Sequence, residues 1–185
     1  MIKTESFLKD KRILAVDDEK DIIETIEEIL DEAIIDTAYD YETASEKINN
    51  NRYDIAILDI MGVNGIKLLE QAVNNGIPAV MLTANALNPD FLIQSIKKGA
   101  ISYIPKDHLS ELDSLLSDLL GAENDGIPPW KLLFEKLGNT FNRRFGTNWK
   151  DEHKKFWDNF EQNYQVGRGI QKRLLHDKKL IDKGI

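Results

Sequence analysis

Chemistry-bearing residues stand at the ends of apolar runs. Asp17, Asp18 and Glu19 follow Val16; Asp59 closes Ile55–Leu58; Thr83 follows Leu82; Lys106 lies just past Ile104, in a run that carries Tyr103. A charge at the mouth of a buried strand is costly unless something pairs with it. If the runs are neighbouring strands, Asp17, Asp18 and Asp59 share one rim and repel by about 1–4 kcal/mol per pair at 4 Å. Such a cluster persists around a cation, and oxygen donors with positions left for water suit Mg2+ or a similar hard ion such as Mn2+. Asp59, paired with that ion and with Lys106, is then placed to attack phosphorus in line while Lys106 and Thr83 hold the phosphoryl oxygens. Taken singly, each residue has a plainer reading. Asp17 and Asp18 could cap a helix, Lys106 could be a solvated charge, Thr83 a strand-end hydroxyl and Tyr103 part of a core. Their common position at the ends of successive runs is what sets them apart.

Five apolar runs alternate with five helical patterns. The runs are Ile13–Val16, Ile34–Tyr39 (weak), Ile55–Leu58, Pro78–Leu82 and Ile101–Ile104. Short continuous apolar runs read as strands buried on both faces. Between them, Ile22, Ile23, Ile26, Ile29 and Leu30 form a helical stripe, and Glu42–Asn50 reads as the second helix. The third opens near Gly65 and stops at Asn75-Gly76; the fourth opens at Asn88-Pro89, a cap followed by proline, and closes at Lys97-Lys98-Gly99. The fifth covers Leu109–Leu120, with Asp107 or Ser110 as its cap. Such alternation predicts a parallel sheet covered on both faces, with ligands at the carboxyl ends of the strands.

Composition narrows the class. The 185 residues are 42% hydrophobic and 30% charged with no cysteine, which excludes disulfides and thiolate metal sites and fits a reducing compartment. The first residues contain no apolar signal core, and no run approaches the roughly 20 residues a membrane helix needs. Residues 1–122 carry a net charge of −12 and residues 123–185 a net of +4, within a total of −8. The acidic part repels nucleic acid. The contrast suggests two segments with different tasks.

The pieces ILAVDDEKDI, DIAILDI, VMLTAN and KKGAISYIPK, in this order, resemble the receiver domain of two-component response regulators. The resemblance implies a flavodoxin-like, doubly wound, five-stranded sheet of order 2-1-3-4-5. It makes Asp59 the phosphoacceptor, receiving its phosphoryl group from a sensor histidine kinase or phosphotransfer protein. It makes Asp18 a direct Mg2+ ligand, Asp17 one acting mainly through water, and the Met61 carbonyl a third. Lys106 is the phosphoryl-binding amine, Thr83 and Tyr103 the switch pair, and Ala84 and Asn85 the residues beside the phosphoryl group. A cytoplasmic location is implied. There are two departures. The loop after Asp59 lacks the usual proline and reaches Gly65 about two residues early. Lys106 is followed by Asp107 rather than by proline, so a cis bond there would cost about 3–4 kcal/mol.

The expected organisation is a receiver over 1–122, a linker over 123–129 and a helical extension over 130–185. In the extension, Trp130 to Phe145 and Trp149 to Tyr164 read as an αα-hairpin with a basic tail. We expect a phosphorylation-gated switch acting through a downstream protein or a second copy, without membrane insertion and not an enzyme on foreign substrates. The alternative is a DNA-binding regulator using the basic helices, for which no helix-turn-helix pattern is visible. A magnesium-dependent phosphatase is disfavoured, because the position two beyond Asp59, where such enzymes carry a second aspartate, is Met61.

Overall fold

The computed structural model describes residues 6–84 and 88–160. The expectations for Asn85, Tyr164 and the basic tail lie outside them. Two compact units divide at Gly138–Asn139. That boundary falls inside a helix, beyond the segment 123–129 read as a linker.

In the first unit, β1 (Arg12–Val16), β2 (Ile34–Ala38), β3 (Ile55–Asp59), β4 (Ala79–Thr83) and β5 (Ser102–Pro105) form one parallel sheet of order β2-β1-β3-β4-β5. Its crossovers are α1 (Lys20–Ile29), α2 (Tyr41–Asn50), α3 (Gly65–Asn74) and α4 (Pro89–Lys97). The flavodoxin-like order expected from sequence is the one observed. Side chains alternate across the sheet. Ile13, Ala15, Ile57 and Leu82 on one face share a core with Ile23 and Ile26 of α1 and with Leu112 and Leu116 beyond β5. β3 and β4 are buried at every position, which is why they read as unbroken apolar runs.

The weak second run is β2, one of the two edge strands. Its Asp36 accepts hydrogen bonds from Lys47 and, at 2.6 Å, from the Tyr53 hydroxyl. Those bonds outweigh burial and hold the Asp36 carboxyl below its usual range. They let a strand form where apolar content is low.

Helix boundaries follow local chemistry. The Asp40 side chain accepts the Thr43 N–H at 2.7 Å at the start of α2, and Asn88 accepts the Asp90 N–H at 2.6 Å ahead of Pro89 in α4. The fifth helix departs from expectation. Lys106–Glu111 forms a 3-10 turn, interrupted at His108 (φ −99°, ψ 16°), and α5 runs Leu112–Asn124. The turn occupies the positions assigned to a cap and to the first helical residues.

α6 spans Pro129–Phe145. In the first unit, its Lys136 pairs with Asp118 of α5. In the second unit, α6 ends before Gly146, whose φ of +87° suits glycine. A 3-10 turn at Asp151–His153 leads into helical residues 154–160. Aromatic rings from both sides of the turn meet: Trp149 lies 6.3 Å from Phe141 and 5.2 Å from Trp157. The Trp149 indole N–H donates to Asn142 at 2.9 Å. No helix among the described residues is long and apolar enough to cross a membrane.

Candidate active site at the carboxyl ends of the strands

Strand register builds the rim. Val16 pairs with Leu58, Asp59 with Leu82, and Thr83 with Pro105. Asp17 therefore lies one residue past β1, Asp59 ends β3, Thr83 ends β4, and Lys106 follows β5. Asp17 and Asp59 lie level, with Thr83 one residue and Lys106 two residues further along their strands, at the point where strand order reverses.

The Lys106 ammonium reaches across this rim. Its Nζ lies 2.8 Å from Asp17 Oδ2, 2.9 Å from Glu19 Oε1 and 3.3 Å from Asp59 Oδ1. The contact with Asp17 is an ion pair whose angles fall outside a proper hydrogen bond. One oxygen from each of Asp17, Asp18 and Asp59 falls within 4.8 Å of the others. Asp17 and Asp59 are buried, whereas Asp18 faces solvent.

Electrostatics follow from that geometry. Burial, then the charge of Asp17, pushes the Asp59 carboxyl up to about 7, against the pull of Lys106. Burial likewise raises Asp17, opposed by Lys106 and by the Glu19 N–H. For Lys106, burial would favour the neutral amine, but the Asp17 and Glu19 carboxylates against it and the charge of Asp59 outweigh that, so its affinity for the proton rises. The site thus holds more negative charge than one ammonium neutralises.

That imbalance, with an oxygen-only donor set, fits a hard divalent cation. The loop after β3 leaves room beside it. A Cβ at Gly62, whose φ is +76°, would lie 2.5 Å from Asp18 Oδ1. The Met61 side chain is exposed and its carbonyl accepts the Val63 N–H at 2.8 Å, which engages one of its two lone pairs. The shortened loop closes by pressing Gly65 against the strand: a Cβ there would lie 1.8 Å from the Asp59 carbonyl oxygen.

Thr83 is buried at the end of β4 and Ala84 is exposed just beyond it. The Tyr103 ring is fully buried; burial pushes its phenol up to about 12, eased by interaction with the Thr83 side chain and the Asn88 backbone. The described residues contain no cis peptide bond, so Lys106–Asp107 is trans.

Residues 13–117 match the family described as the response regulator receiver domain. The chain belongs to that family. It is 34% identical over 112 residues to the transcriptional regulatory protein DltR of Streptococcus agalactiae, covering 57% of this chain and 49% of DltR. It is 40% identical over 100 residues to the regulatory protein VanRB of Enterococcus faecalis, covering 51% of this chain and 45% of VanRB. Among solved structures, a receiver domain protein (CheY-like) from Methanospirillum hungatei superposes with a TM-score of 0.57 at 26% identity, covering 64% of this chain and 99% of that one. The chain matches about half the length of DltR and VanRB.

This receiver brings Asp17, Asp18, Asp59 and Lys106 together. Sequence reasoning gave no role to Glu19, which contacts Lys106 directly, or to Gly62, and it read Gly65 as the loop's glycine without the contact that requires it. Glu19 was visible as the third acid after β1. The glycine requirements appear only when the shortened loop is built.

Proposed function

We propose that this receiver is a phosphorylation-gated switch whose phosphoacceptor is Asp59 and whose donor is a phosphohistidine on a sensor kinase or phosphotransfer protein. The supporting observation is the Lys106 ammonium, 3.3 Å from Asp59 and 2.8 Å from Asp17, beside the three-carboxylate cluster. In the transfer, an Asp59 oxygen bonds to phosphorus, the phosphorus–nitrogen bond breaks, and the imidazole leaves with that electron pair. Lys106 and the Thr83 hydroxyl donate to the phosphoryl oxygens, and the rigid strand ends hold the attacking oxygen in line. Asp18, Asp59, Asp17 and the Met61 carbonyl would hold Mg2+ or Mn2+, which when bound neutralises charge on the phosphoryl oxygens. Thr83 then moves toward the phosphoryl group, biasing the face made by α4, β5 and α5; the Tyr103 ring, expected to turn inward with it, is already fully buried here. The chain acts as acceptor, not as an enzyme turning over foreign substrates, in a cytoplasmic setting.

The switched surface works through protein contacts, with a partner or a second copy, and residues 130–185 form the extension that serves them. A second reading, a DNA-binding regulator, draws on DltR and CutR of Streptomyces coelicolor, both named transcriptional regulatory proteins. Those matches span 57% and 64% of this chain. Binding to DNA that weakens steeply with salt would favour that reading.

Mass spectrometry after treatment with acetyl phosphate and Mg2+ tests the acceptor. The wild type should gain one phosphoryl group and Asp59→Asn none. An unlabelled wild type, or a labelled Asp59→Asn, would refute the assignment.

A further inference from the structure

Glu19 has no part in the mechanism above, yet it touches its central amine. Lys106 has three N–H donors. Three carboxylates surround it, at 2.8 Å (Asp17), 2.9 Å (Glu19) and 3.3 Å (Asp59). Of these contacts only that with Glu19 has hydrogen-bond geometry, so a phosphoryl oxygen on Asp59 that draws the amine toward itself does so at the expense of that bond. Asp17 is fully buried, and its second oxygen accepts the Glu19 N–H at 2.9 Å. Asp59 is the group being modified. Glu19 stands at the rim with 61% of its side chain exposed, so water can replace Lys106 at little cost.

The helix start supplies an independent observation. Glu19 is the N-cap of α1, a position that favours Ser, Thr, Asp or Asn because their side chains bond the first free N–H groups. The Glu19 side chain makes no capping bond. It reaches from β1's end to the residue after β5 instead, 87 positions along the chain. A helix start that forgoes its cap for a cross-sheet ion pair follows the needs of the site rather than of the helix. Lys106 itself opens a 3-10 turn.

From these contacts we infer that Glu19 is a positioning residue that restrains phosphorylation. Its carboxylate holds Lys106 in the unphosphorylated protein and is displaced by the incoming phosphoryl oxygen. The inference rests on Asp59 as phosphoacceptor. With acetyl phosphate, an Asp59 oxygen bonds to phosphorus, the bond from phosphorus to the acetyl oxygen breaks, and acetate leaves with the electron pair. Glu19 exchanges Lys106 for water and undergoes no covalent change.

The test is the initial rate of phosphoryl incorporation from acetyl phosphate with Mg2+, in wild type, E19Q, E19A, K106A and E19Q/K106A. E19Q and E19A should label about two- to five-fold faster than wild type, the worth of a partly exposed ion pair. In the K106A background, E19Q should change nothing, because the restraint acts through the amine. An E19Q rate equal to or below wild type overturns the inference. So does the same acceleration in K106A, which would mean that Glu19 merely repels the anionic donor. A double-mutant cycle of Glu19 and Lys106 in urea unfolding of the metal-free protein reads the pair without phosphorylation; an unfolding equilibrium with no coupling also overturns it. A wild type that accepts no phosphoryl group defeats the acceptor reading itself, whereas one labelled as fast as E19Q defeats only the role of Glu19.

Discussion

Asp59→Asn should make the metal-free protein more stable at pH 8 but not at pH 4. Burial and Asp17 raise the Asp59 carboxyl from 3.8 to about 7 in the folded chain. Between those values the folded state binds a proton that the unfolded state has released. Stability therefore falls as pH rises from about 4 to about 7, and levels off above. Three units at about 1.36 kcal/mol each set a ceiling of about 4 kcal/mol. The rim opens to solvent at exposed Asp18, and that screening reduces the figure to about 2–3 kcal/mol. Asn carries no charge at any pH, so the variant escapes this loss. Asp17 shifts in the same direction and is present in both proteins. Lys106, also raised, matters only above its ordinary range near 10.5, outside the window. Urea unfolding with a chelator at pH 4, 5, 6, 7 and 8 reads the difference directly. It should be near zero at pH 4 and grow to about 2–3 kcal/mol in favour of Asp59→Asn at pH 8. Parallel pH profiles for the two proteins would refute the claim that Asp59 is the strained charge.

Mg2+ should stabilise the wild type more at pH 8 than at pH 5, because protons and the cation compete for the same oxygens. At 100 times its Kd the gain is about 2.7 kcal/mol; thermal unfolding with and without chelator measures it, and Asp59→Asn should show a smaller gain. Gly65→Ala should cost about 3 kcal/mol or more, because its Cβ would meet the Asp59 carbonyl at 1.8 Å and backbone cannot step aside. Gly76→Ala, with φ +72° and open space around it, should cost only about 1 kcal/mol; equal losses in urea unfolding would show that the close approach at Gly65 is not felt.

Legibility in the sequence tracked how local each determinant is. β3 and β4 are buried at every position, and a run of Ile, Ala, Val and Leu announces that without knowledge of neighbours. Asn88-Pro89 marks the start of α4 because cap and proline act within one turn. The start of the fifth helix was misplaced by three residues because the spacing of Leu112, Leu115 and Leu116 extends back to Leu109, while the break at His108 leaves no residue-type signature. The edge strand β2 read weakly because Asp36 is satisfied by Lys47 and Tyr53, 11 and 17 positions away. At the site, Asp17, Asp18, Asp59 and Lys106 were legible as strand-end residues. Their neighbours were not, since Gly65 is required by contact with the Asp59 backbone and Glu19 by an amine 87 positions on. Both hidden requirements sit beside the two departures from the family pattern. The shortened loop closes with its glycine against the Asp59 carbonyl, where a Cβ has no room. A lysine followed by a trans bond, at the start of a 3-10 turn, has a third carboxylate at hand to fix its amine. The departures and the unread residues are therefore two sides of one local solution.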